Sequence, residues 1–113
     1  MTKIKFFKNG NIYTGYECSG HTGYAEFGKD ILCASISSLA QSCLLGLNKV
    51  LKINTITKRN DKNGYIKVEL PKSINSEKLS QAQVLLNTLK LSLEDLQLEY
   101  SKYISMEVIE NVY

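Results

Sequence analysis

Apolar and polar residues alternate weakly over Lys3–Lys8, break at Asn9-Gly10 and resume with Ile12, Tyr13 and Tyr16. Asn-Gly between two such runs is a strong hairpin signal. The chain is therefore expected to open as a β-hairpin whose second strand, Ile12–Cys18, delivers Ser19-Gly20-His21 to one end of a sheet. From Ile31 the spacing changes: Ile36, Leu39, Ala40, Cys43, Leu44 and Leu47 stand three and four residues apart and predict a helix over Ile31–Leu47. Leu32 and Leu45 widen the apolar coverage, as a deeply buried helix requires. Asp30 is the N-cap candidate, and Gly46 and Asn48 mark the exit.

Val50–Thr57 alternates Leu51 and Ile53 with Lys52 and Asn54, which predicts a strand; Lys58–Lys62 is a polar tip, and Asn63-Gly64 supplies a turn. Tyr65–Leu70 sets Ile66, Val68 and Leu70 against Tyr65, Lys67 and Glu69, a half-buried strand stopped by Pro71. Ser76 is the N-cap candidate of the longest helix, Glu77–Lys102. Its seam of Leu79, Ala82, Leu86, Leu89, Leu93, Leu96, Tyr100 and Tyr103 suits either a helix lying across a sheet or a coiled coil. Val84, Leu91 and Leu98 add a flanking apolar row with which a homodimer can form. Ile104, Met106 and Val108 close the chain as a short strand. The order is ββαββαβ, and two hairpins with helices between them predict an α+β fold, a mixed or antiparallel sheet packed with two main helices, in one domain over 1–113.

Composition narrows the setting. No basic-then-apolar leader with a small-residue cleavage site is present, and no apolar run approaches the roughly 18 residues that span a bilayer. The expectation is a cytoplasmic protein without a membrane partner. Three cysteines, Cys18, Cys33 and Cys43, are too few and too odd in number for a disulfide framework. Cys33 and Cys43, on one helix, would stand about 15 Å apart along its axis, so no metal site is expected. The net charge of +3 is uneven: eight Lys/Arg against three Asp/Glu in residues 1–60, then six against eight. No dense basic run or basic–aromatic stripe demands nucleic acid.

The candidate chemistry lies in Gly20–Ser37. It holds the only histidine, His21, and twelve positions later Cys33 in the first turn of a helix. A thiolate, not a thiol, attacks a carbonyl. Unpaired N–H groups at a helix N-terminus favour an anion there, and an imidazolium would pair with it. His21 would then protonate the leaving amine, the Cys–His division of labour in covalent acyl transfer. Asp30 either orients His21 through its second ring nitrogen or simply caps the helix. Ser37, one turn beyond Cys33, either bonds the thiolate or a substrate group or bonds its own i−4 carbonyl. The backbone N–H groups of Cys33 and Ala34 are candidate oxyanion donors. Cys18 and Cys43 are expected to pack in the core.

At these residues the sequence resembles the bacterial ribosomal-processing cysteine protease family. The shared pattern is Gly20-His21, then Gly28, Asp30, Leu32-Cys33-Ala34 and Ser37, with Leu32 where the family often has Val; a looser likeness in element order covers nearly the whole chain. The resemblance implies a cysteine endopeptidase that removes the N-terminal extension of a large-subunit ribosomal protein precursor after a pair of aromatic residues. His21 and Cys33 would be the catalytic pair, Asp30 and Ser37 supportive, the protein a homodimer without a cofactor. It further implies a mobile loop closing over the peptide, here Thr22, Gly23, Tyr24, Ala25, Glu26, Phe27, Gly28 and Lys29. Tyr24 and Phe27 would contact apolar substrate side chains. The alternatives are a non-enzymatic ribosome-associated module that binds RNA or protein, and a dimeric adaptor built on the long helix.

Overall fold

In the computed structural model, which describes residues 1–26 and 30–112, the first two runs form strands β1 (Thr2–Asn9) and β2 (Ile12–Ser19). The two residues between them are Gly10 and Asn11, and Gly10 takes the left-handed backbone (φ 61°) that glycine adopts without a Cβ clash. Helix α1 (Ile31–Leu45) follows, then strands β3 (Ile56–Asn60) and β4 (Tyr65–Glu69), helix α2 (Ser76–Glu99) and strand β5 (Ile104–Ile109). The expected ββαββαβ order and α+β class hold.

The sheet runs β3-β4-β2-β1-β5; every pair is antiparallel except β1 with β5, so it is mixed. Register puts Ile4 opposite Cys18 and Met106, Phe6 opposite Tyr16, and Tyr16 and Cys18 opposite Val68 and Ile66. These residues share one face and join Leu32, Ile36, Ala40 and Leu44 of α1 and Ala82, Leu86, Leu89 and Leu93 of α2 in one core. Both helices therefore cover that face, and each fully buried leucine contributes about 1.5–3 kcal/mol. The opposite face carries a cross-strand row of Glu107, Lys5, Glu17 and Lys67. The seam of α2 is thus the seam of a helix on a sheet, while Val84, Leu91 and Leu98 stay exposed.

Several boundaries differ from expectation; α2, for one, ends at Glu99 and not at Lys102. Gly46 is right-handed (φ −59°, ψ −46°) and does not end the first helix, which continues as a π turn over Gly46–Val50. A Cβ there would lie 2.8 Å from Leu85 Cδ1 of α2, a side-chain end that would have to move aside. The strand expected over Val50–Thr57 begins only at Ile56: Val50 belongs to the π turn, and Ile53 enters the core while its N–H bonds Leu47 O. The N-cap of α2 is Asn75, whose side chain accepts from Lys78 N, not Ser76. By length and composition Ile31–Val50 could also cross a bilayer, contrary to the expectation that no segment could; here one face of it packs in the core, while Ile31, Leu45 and Val50 are exposed, so it is less deeply buried than expected.

Candidate active site

Three backbone features bring the site together. Strand β2 ends at Ser19, and Gly20 (φ 86°) turns the chain against the N-terminus, where a Cβ would meet Met1 O at 2.9 Å. Helix α1 starts at Ile31 because Asp30 caps it, Oδ1 accepting from Cys33 N at 2.8 Å. The other oxygen, Oδ2, accepts from the Thr22 hydroxyl and from Tyr24 N and Ala25 N at 3.1 and 3.4 Å. One buried carboxylate thus begins the helix and gathers the first part of the loop. Burial works against its charge, but the Thr22 hydroxyl and the N–H groups of Cys33, Ala25 and Tyr24 outweigh that and hold the carboxyl below its ordinary value.

This framework sets Cys33 Sγ 3.6 Å from His21 Nδ1. The second ring nitrogen, Nε2, stands 3.2 Å from the Lys62 carbonyl oxygen, so the partner there is a backbone carbonyl and Asp30 acts as the cap. Both side chains open into a cleft of about 520 Å³ between α1, the end of β2 and the β3–β4 turn. Ser37 and Gln41 continue the cleft wall along α1, with Gln41 Nε2 donating to Ser37 Oγ at 2.7 Å. The i−4 back-bond considered for Ser37 is made instead by Ser35, to Ile31 O. The two N–H groups expected as oxyanion donors are engaged: Cys33 N with Asp30 Oδ1, and Ala34 N with Asp30 O at 3.0 Å. An oxyanion would have to share or displace those bonds.

The other thiols differ in environment. Burial, then the nearby Glu17 charge, pushes Cys18 up to about 12. Burial pushes Cys43 up to about 11, against a bond with Tyr16. Cys33 is the half-exposed one of three free cysteines. Iodoacetamide near neutral pH is expected to modify Cys33 at least about tenfold faster than Cys18 or Cys43 in the folded protein; peptide mapping with time reads this, and equal rates would contradict it.

Tyr24 does not line the cleft. Its ring packs edge-on against Tyr100 and Tyr103, just beyond the end of α2, centroids 5.6 and 5.4 Å away. The loop residues at the cleft are Gly23 and Ala25. Phe27, Gly28 and Lys29 lie outside the described residues. Sequence reasoning missed Lys62, Gly64 and Gln41. Asn63-Gly64 was legible as a turn, but nothing local says where the tip lands. The β2–β4 register does: Cys18 opposes Ile66, and its continuation sets Gly64 against Gly20, beside His21.

A thiol at a capped helix start, an imidazole within reach and a peptide-sized cleft are what the class of cysteine peptidases requires. The chain belongs to the family described as cysteine protease Prp, whose model matches residues 1–105, and is accordingly a cysteine protease. It is 26% identical over 85 residues to the ribosomal processing cysteine protease Prp of Bacillus subtilis (strain 168), covering 75% of this chain and 76% of that one. It also shares the fold of two S. aureus structures of the essential ribosomal processing protease Prp. The complex with a covalently linked product peptide has a TM-score of 0.85 at 23% identity, covering 96% of this chain and 100% of that one. The complex with a substrate peptide has 0.80 at 20%, with the same coverage.

Proposed function

We propose that this protease removes the N-terminal extension of a large-subunit ribosomal protein precursor, cutting after a pair of aromatic residues. The observation that carries the reading is the 3.6 Å approach of Cys33 Sγ to His21 Nδ1 inside a cleft, in a chain of this family. The apolar wall of Cys18, Ile36, Ala40 and Ile66 suits aromatic side chains. The relatives' names supply the ribosomal substrate class.

In the first step the thiol proton passes to His21 Nδ1 and the thiolate attacks the scissile carbonyl carbon. The tetrahedral adduct collapses as His21 returns the proton to the amine nitrogen, the C–N bond breaks, and the mature protein leaves. A thioester on Cys33 remains. Water then attacks it while His21 takes a water proton, and the extension is released as a carboxylic acid with the thiol restored. Asp30 holds the helix start and the loop. Ser37, its oxygen accepting from Gln41, directs its own O–H at the substrate or the thiolate. No cofactor enters. The setting is the cytoplasm, consistent with three unpaired thiols. The protein works as a homodimer, using the exposed Val84, Leu91 and Leu98 row.

Incubation with the precursor, and with the same protein lacking the extension, tests the substrate. Mass spectrometry is expected to show a single cut releasing the extension and no change in the mature form. Cleavage of both at scattered sites, or of neither, would contradict the reading.

A further inference from the structure

His21 follows the end of β2 by two residues. A base must present one ring nitrogen to Sγ in a fixed orientation. Two contacts from one short segment distant in sequence meet this need. The Lys62 carbonyl lies 3.2 Å from Nε2. The Gly64 backbone lies close to the ring: a Cβ there would stand 3.0 Å from Cε1, 3.2 Å from Nδ1 and 3.0 Å from Gly20 O. Gly64 is also left-handed (φ 61°), so glycine is needed twice over. The segment is closed on itself, with Asn63 N donating to Asn60 Oδ1 and Gly64 N to Asp61 O, both at 3.2 Å. β4 anchors it to β2 through the Cys18–Ile66 pairing.

We propose that the Asp61–Gly64 turn is the positioning element of His21, with the Lys62 carbonyl in the place an orienting carboxylate takes in a triad. The carbonyl accepts Nε2–H and so selects the tautomer whose Nδ1 takes the thiol proton. It keeps that bond when the ring becomes an imidazolium. Gly64 supplies the slot that stops the ring from swinging off Sγ. This inference rests on the Cys33–His21 reading.

The chain has one histidine, so its imidazole ¹⁵N resonances need no assignment. The wild-type protein, with its ring in the neutral form, is expected to show an Nε2-protonated tautomer. Gly64→Asn keeps a residue that tolerates a left-handed backbone but sets a Cβ 3.0 Å from Cε1, so that the ring must shift. It is expected to lower kcat about tenfold to a hundredfold with KM within about twofold, and to shift the imidazole resonances. An Nδ1-protonated wild-type tautomer overturns the proposal even where Gly64→Asn does not fold. So does a Gly64→Asn variant with wild-type kcat, or one with low kcat but unmoved resonances. Undiminished cleavage by His21→Ala would instead overturn the catalytic pair, and the tautomer measurement would still stand.

Discussion

Cys33→Ala and His21→Ala are each expected to abolish precursor cleavage, lowering kcat by about 10⁴-fold or more. Sγ supplies the electron pair that forms the thioester, and no other side chain at this position of the cleft can replace it. Nδ1, 3.6 Å away, is the acceptor for its proton and the donor to the leaving amine. Because the two act as a unit, the double variant is expected to be no slower than either single one. The loss is chemical rather than structural. Cys33 and His21 are both half-exposed and contribute little to the core, so the denaturation midpoints should barely move. Cleavage by Cys33→Ala at the wild-type rate would remove the basis of the mechanism.

Asp30→Ala is expected to cost about 2–4 kcal/mol of stability. Loss of the helix cap contributes about 1 kcal/mol and the stranded buried Thr22 hydroxyl about 1–3 kcal/mol. Against a typical total of about 5–15 kcal/mol this is a large fraction. Activity should fall as well, since the same carboxylate fixes Cys33 N and the loop N–H groups of Tyr24 and Ala25. The pH dependence has a definite sign. The folded carboxyl is held below its ordinary value, so the stabilisation is fully present above the unfolded value of about 3.9. It is lost as pH falls through the lower folded value. Urea midpoints across that range should bring wild type and Asp30→Ala together on the acid side. A gap that stays constant with pH would show that the charge contributes nothing.

The opening hairpin, both helices, β4 and β5 were legible because each has a turn signal or a burial period that tertiary packing follows. Strand β3 was not. It is an edge strand with the sequence Ile-Thr-Lys-Arg-Asn, mostly exposed, and so carries no alternation. The apparent alternation of Leu51 and Ile53 reflects core packing after a π turn, without a ladder. Gly46 reads as a helix stop from sequence because helix ends favour glycine; here it is right-handed and the helix runs on through it beside Leu85. In the site, His21, Cys33, Asp30 and Ser37 were visible as side chains at meaningful spacings, and all four face one cleft. The Lys62 carbonyl was not, because a backbone acceptor has no residue signature and its place depends on a long-range strand register. The engaged N–H groups of Cys33 and Ala34 follow from the Asp30 cap that the sequence predicts: the cap and the first helical bond compete there with an oxyanion.

The central claim is that Cys33 is acylated by the substrate, and the mass of the peptide containing Cys33 after an acid quench tests it most directly. Wild-type protein mixed with the precursor and stopped within the first turnover should carry the extension on Cys33 as a thioester, its mass increased by that of the extension less one water. The adduct should be absent from Cys18 and Cys43 and absent in Cys33→Ala. Complete cleavage in the same samples, with Cys33 unmodified at every time point and cleavage retained by Cys33→Ala, would contradict the account.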